Sequence, residues 1–140
     1  MVKDNIFPLG KKYKLGLAAA IARDARKNTN IIVGVSAGGL PQVLIYDSGL
    51  SKVSRKFFVD TKKIKGEFNL TVGDINGDGA PEIIAVLNSG RNKQIKIFTL
   101  AGKLLSQFKV STEFNLGPAS VGAADVNFDG IDEIVLMNGE

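Results

Sequence analysis

The chain has 140 residues, 44% of them hydrophobic, which is enough for one globular domain with a real core. It contains no cysteine and no histidine, so disulfide scaffolding, thiol chemistry, the usual general base and the commonest transition-metal ligand are all excluded. The net charge of +4 is divided: residues 1–66 hold 13 Lys or Arg against 4 Asp or Glu, and residues 67–140 hold 5 against 10.

Sixteen glycines, no Trp and no long helical period favour short strands, and no apolar stretch approaches the length of a membrane span. Lys11, Lys12 and Lys14 precede the apolar run Leu15 to Ala22, which imitates the core of a secretory leader. That run is short and lies inward from the start, and a first strand accounts for it better. Three further strands are expected at Asn30 to Val35, Gln42 to Tyr46 and Lys52 to Val59. A second unit repeats the layout at Phe68 to Gly73, Glu82 to Asn88, Gln94 to Thr99 and Lys103 to Val110, with turns around Ser89 to Asn92 and at Ala101 and Gly102. A third begins the same way and reaches the strand Ile134 to Met137.

The repeat is punctuated by an acidic nonapeptide, DINGDGAPE at Asp74 to Glu82 and DVNFDGIDE at Asp125 to Glu133, the copies starting 51 residues apart (125 − 74). Calcium takes six to eight oxygen ligands, so a short loop that holds it must turn tightly and offer oxygens at alternate positions. Asp74, Asn76, Asp78, the carbonyl of Ala80 and Glu82 stand at positions 1, 3, 5, 7 and 9. Asp125, Asn127, Asp129, the carbonyl of Ile131 and Glu133 repeat them, and Gly79 and Gly130 hold position 6. Two calcium sites are expected, against the alternative of two metal-free Asx turns, which use the same residue types. Position 4 differs, Gly77 in one copy and Phe128 in the other, but donates no side-chain ligand. An EF-hand is excluded, because it needs a carboxylate at position 12, where Ala85 and Leu136 stand, and a helix to follow. EIIAVL and EIVLM, rich in β-branched residues, follow instead and read as buried strands.

The first unit departs from the pattern. Tyr13, Leu15 and Gly16 align with Phe114, Leu116 and Gly117, which sets Asp24 opposite Asp125. From Asp24 to the next strand is two residues shorter than in the other loops, and Arg26 and Lys27 occupy ligand positions. No calcium is expected there. A cationic side chain in the ion's place and a loop that has drifted are both open readings.

Four antiparallel strands per unit of about fifty residues is the plan of a β-propeller blade. The fold class expected is all-β, a partial propeller of about two and a half blades forming one domain over 1–140, with repeats near 13–66, 67–115 and 116–140. VGDINGDGAPEIIAV (Val72 to Val86), AADVNFDGIDEIVLM (Ala123 to Met137) and VGVSAGGLPQVLIYD (Val33 to Asp47) resemble the FG-GAP and VCBS repeats, the calcium-binding propeller repeats also seen in the integrin α-subunit head. The resemblance implies a non-catalytic module outside the cytoplasm, extracellular or on the cell surface, that binds a protein or carbohydrate as a segment of a larger protein. An accessory or catalytic propeller of a secreted polysaccharide-degrading enzyme is the alternative, but Tyr13, Tyr46 and Asp60 form no recognisable constellation. Lys62, Lys63 and Lys65 lack the interleaved aromatics of a base-stacking surface, so nucleic acid is not the expected partner. Open blade edges make self-association a further expectation.

Overall fold

A computed structural model describes residues 17–37, 39–64, 68–89, 92–110 and 119–138. They form strands and connecting turns with no helix among them. β1 (Leu17–Arg23), β2 (Thr29–Ala37), β3 (Leu40–Asp47) and β4 (Val53–Phe58) make one sheet; β5 (Phe68–Gly73), β6 (Glu82–Ser89), β7 (Asn92–Phe98) and β8 (Leu104–Lys109) make a second; β9 (Ala119–Ala124) and β10 (Glu133–Asn138) make a third. Every pairing is antiparallel, and within each sheet the strands pair in sequence order. The leader-like run is therefore an edge strand: Leu17 to Arg23 pair with Val35 to Thr29. Leu15, Gly16, Tyr13, Phe114, Leu116 and Gly117 lie outside the described residues, as does Lys65.

The repeat is kept at the level of register. Ile31 pairs Tyr46 in the first sheet and Ile83 pairs Phe98 in the second; Val43 pairs Phe57, and Ile95 pairs Phe108. Both outer hairpins carry the same irregularity, at Ile45/Tyr46 and Ile97/Phe98. An extra residue at the same place bends each outer strand alike.

The continuous apolar run of β6 has a direct cause. Ile83, Ala85 and Leu87 face a core shared with Ile32, Val43 and Ile45 of the first sheet. Ile84 and Val86 face a second core with Ile95, Ile97 and Ala119, onto which Val121, Ala123, Ile134 and Leu136 of the third sheet pack. A strand covered on both faces has no polar side, so alternation is lost. Each fully buried Ile or Val contributes about 1.5–3 kcal/mol relative to exposure. The first strands β1, β5 and β9 lie side by side, β5 touching both of the others. Small residues permit the sheets to approach closely: a Cβ on Gly34 of β2 would stand 2.5 Å from the Phe68 ring of β5, and one on Gly73 of β5 would stand 2.5 Å from Cβ of Ala123 of β9.

Candidate metal-binding loops

Both nonapeptides connect the first and second strands of their sheets, and the final Glu of each, Glu82 and Glu133, opens the second strand. The two loops are closed by the same hydrogen bonds. In the first, Gly79 N–H donates to Asp74 Oδ2 (2.8 Å), Asp78 N–H to Asn76 Oδ1 (2.8 Å) and Ala80 N–H to Asp78 Oδ1 (2.8 Å). The second has Gly130 N–H to Asp125 Oδ2 (2.8 Å), Asp129 N–H to Asn127 Oδ1 (2.9 Å) and Ile131 N–H to Asp129 Oδ1 (2.9 Å). Glu82 accepts the Ile75 N–H and the Asn76 amide, and Glu133 accepts the Val126 N–H and the Asn127 amide. Gly79 and Gly130 have φ of +83° and +89°, the left-handed conformation that position 6 demands.

All predicted side chains of each loop therefore belong to one hydrogen-bonded unit. Glu82 is 3% exposed. Burial pushes its carboxyl above the ordinary value, with the nearby charges of Asp78 and Asp74, against the opposing bonds from Ile75 and Asn76. A buried carboxylate with two acidic neighbours is an environment that a cation would relieve.

The donor chemistry, carboxylate, amide and main-chain oxygens only, fits a hard cation. Asp78 and Asp129 each use Oδ1 on an amide two residues on, and among the described residues no hydrogen bond occupies their Oδ2. The loops are not ready-made cages, however. Among the described residues no group of three or more carboxylates is gathered closely enough to hold an ion unaided, because the side chains turn onto their own backbone amides. Each carboxylate keeps at least one lone pair beyond those in use, although Asp74 Oδ1 already accepts two N–H groups, so a cation would add to this unit or draw its oxygens inward.

The short loop of the first sheet is built differently. Asp24 Oδ1 accepts the N–H groups of Arg26 (3.0 Å) and Asn28 (2.8 Å), and Oδ2 accepts the Asn28 amide (3.2 Å). The bonds from Asn28 hold the Asp24 carboxyl below its ordinary value. Lys27 takes a left-handed φ of 63°. Of the two open readings, the cationic substitute fails: among the described residues neither Arg26 nor Lys27 forms an ion pair, and the turn's own amides hold the carboxylate.

One residue absent from the expected set joins the two acidic loops. Asp132, at position 8 of the second, accepts the Asp74 N–H on Oδ2 (2.9 Å), and its own N–H donates to the Asp74 carbonyl (2.9 Å). The sequence signal was the mismatch at that position, where the first loop has Pro81. Of the loose polar candidates, Tyr46 is buried, which raises its hydroxyl pKa, and Asp60 pairs with Lys96 at 2.7 Å. Tyr13 lies outside the described residues.

Residues 74–136 match the family model of the FG-GAP-like repeat. The match starts at position 1 of the first acidic loop and ends within β10, so the stretch that is similar to the FG-GAP-like repeat carries both loops. None of the curated proteins searched matches the chain.

Proposed function

We propose that the chain is a non-catalytic binding module, a set of β-propeller blades whose strand-connecting loops are fixed by calcium. It acts as part of a larger secreted or surface protein and presents its loops to a protein or carbohydrate partner. The observation that carries the reading is that Asp74 to Glu82 and Asp125 to Glu133 are locked by the same hydrogen bonds at the same positions, although the residues between them differ. A loop selected only to turn would be free to lose one acidic position or another. Asp74, Asn76, Asp78, Ala80 and Glu82 would hold one ion, and Asp125, Asn127, Asp129, Ile131 and Glu133 the other. When bound, calcium supplies the positive charge that offsets the crowded carboxylates. The burial of Tyr46 and the pairing of Asp60 support a structural rather than catalytic use of the polar groups outside the loops.

The test is calcium titration into chelator-treated protein, followed by calorimetry and thermal melting. Binding heat with a rise in melting temperature is expected, since an ion that binds only the folded loop stabilises by linkage. Absence of both would sink the calcium assignment.

A further inference from the structure

Beside the short loop of the first sheet lies a cavity of about 220 Å³, bordered by the two complete four-stranded sheets. Asp24 borders it from the β1–β2 turn, Asn30 from β2, Ile45 from β3, Ser54 and Arg55 from β4, and Leu100 from the β7–β8 turn. Two opposite charges, Asp24 and Arg55, thus share one small space without meeting, since among the described residues the only ion pair is Lys96 with Asp60. The wall also keeps bonding capacity of both kinds. Arg55 gives one N–H, on Nη1, to the Leu100 carbonyl (2.8 Å), which pins the guanidinium in place, and its remaining N–H groups have no partner among the described residues. Asp24 Oδ2 accepts only the Asn28 amide (3.2 Å). Asn30 donates its amide to the Asn28 carbonyl (3.3 Å) and Ser54 its hydroxyl to the Ile45 carbonyl (3.0 Å), so each retains an oxygen able to accept.

Register shows that this lining is particular to the first sheet. Asn30 pairs Ala22 as Glu82 pairs Gly73, and Arg55 pairs Ile45 as Ser106 pairs Ile97. In the second sheet a carboxylate therefore stands where the first has an amide, and a hydroxyl where the first has a guanidinium. Glu82 is turned onto Ile75 and Asn76 of its own loop, whereas the corner of the first sheet has a cation to offer. The turns that carry or adjoin the lining hold Arg26, Lys27, Lys52 and Lys103 against Asp24 and Asp47, so the local field favours an anion. The free edge of the guanidinium matches a carboxylate in a two-bond fork. An anion alone leaves the acceptors of Asp24 and Asn30 unanswered, and hydroxyl groups on the same ligand supply the donors they need. Ile45 and Leu100 add an apolar patch for the C–H face of a ring. The cavity is smaller than the about 300–1,000 Å³ of sites for drug-sized ligands and has room for one such ring.

We propose that the cavity between the short loop and the β7–β8 turn binds a uronic-acid unit of an acidic polysaccharide. Arg55, held by the Leu100 carbonyl, takes the sugar carboxylate; Asp24 and Asn30 accept hydroxyl hydrogens; Ser54 accepts a further one; and the ring rests on Ile45 and Leu100. The inference rests on the reading of the chain as a binding module and narrows its partner to an acidic carbohydrate, but it does not depend on calcium.

The test is calorimetry and amide chemical-shift mapping of the full chain in chelator-containing buffer, with an oligogalacturonate, its fully methyl-esterified form and acetate. The oligogalacturonate is expected to bind with shifts gathered at Asp24, Asn30, Ser54, Arg55 and Leu100, and the ester and acetate to bind about tenfold or more weakly. Arg55→Lys keeps the charge but not the fork and should weaken oligogalacturonate binding by a similar factor. Asn30→Ala should weaken it as well, and unchanged melting temperatures would show that both variants stay folded. No binding of the oligogalacturonate, or equal binding of the ester or of acetate, would overturn the proposal. So would unchanged affinity in both variants with shifts spread over Lys52, Lys56, Lys62 and Lys63, which would assign the binding to dispersed surface charge. A calcium response in the titration described above, alongside such a result, would remove this site and leave the module reading standing.

Discussion

Asp132 and Asp74 grip each other through two hydrogen bonds of 2.9 Å, one from each backbone N–H, so the third sheet is fastened to the second through the first residue of an acidic loop. Neighbouring bonds extend the fastening, with Asn69 and Asn88 both donating side-chain amides to the Ala119 carbonyl. Asp132→Ala leaves the part-buried Asp74 N–H without its acceptor and is expected to cost about 1–3 kcal/mol. Asp132→Asn keeps an acceptor oxygen and should cost less. Urea unfolding at neutral pH measures both, and equal stability of all three proteins would refute the fastening.

Gly73 lies under that grip. A Cβ there would stand 2.5 Å from the Ala123 Cβ and 2.8 Å from Asp132 Oδ2. Gly73→Ala is therefore expected to destabilise by about 1–3 kcal/mol, the usual cost of overpacking. Ala123→Gly removes one of the two obstructing atoms, so the double variant should recover part of the loss. A double-mutant cycle reads the coupling directly. Strict additivity would mean that the crowding is relieved elsewhere.

The calcium reading gives a distinct outcome for paired variants. Asp74→Ala with Asp125→Ala removes position 1 from both loops and also three amide acceptances in the first loop, at Gly77, Asp78 and Gly79. Metal-free stability falls for that reason alone, so the informative quantity is the increment on adding calcium. In the parent each of the two sites should contribute about 2.7 kcal/mol at a hundredfold excess over its dissociation constant, and in the double variant the increment should vanish. Thermal melting with and without chelator supplies both numbers.

Asp60 and Lys96 join the segment after β4 to β7, with side chains 18% and 12% exposed. Burial alone would raise the Asp60 carboxyl, but the Lys96 hydrogen bond, the Lys62 N–H and the Lys96 charge outweigh it and hold the group below its ordinary 3.8. A depressed folded pKa means that the contribution is fully present above the unfolded value and is lost as pH falls through the folded one. Stability should therefore decline below about pH 4, and Asp60→Asn should remove that part of the decline while lowering stability at pH 7 by about 1–2 kcal/mol. Denaturant melts from pH 2 to 7 test the pair; identical pH profiles would rule it out.

Much of this arrangement was legible in the chain because it is local. EIIAVL declared a strand buried on both faces, and the acidic spacing announced loops that the structure closes with matching bonds; EIVLM, read the same way, is covered on one face only, with Ile134 and Leu136 packed on the second sheet and Val135 and Met137 exposed. What stayed hidden acts across sheets. Nothing near Asp132 says that it will reach Asp74, and nothing near Phe57 says that Gly102 will lie on its ring, because such contacts depend on how two sheets approach. The depth of Glu82 was likewise invisible, since its position in the loop specifies an oxygen and not its burial. Position 4 was read for what it lacks, a ligand, and its backbone conformation was missed.

That conformation yields the last prediction. Phe128 has a φ of 62° and is 91% exposed, while its counterpart Gly77 has a φ of 74°. A left-handed backbone costs a side-chain-bearing residue about 1–2 kcal/mol relative to glycine, and an aromatic has no local hydrogen bond to offset it. Glycine in turn is costlier to order from the unfolded chain, by about 0.5–1 kcal/mol. The first effect is the larger, and an exposed ring has little packing to lose. Phe128→Gly should thus raise stability by up to about 1 kcal/mol, and Phe128→Ala, which keeps a Cβ at the same φ, should not. Urea midpoints at fixed calcium separate the two. If both variants lose stability, the ring makes a contact that outweighs the strain of its backbone.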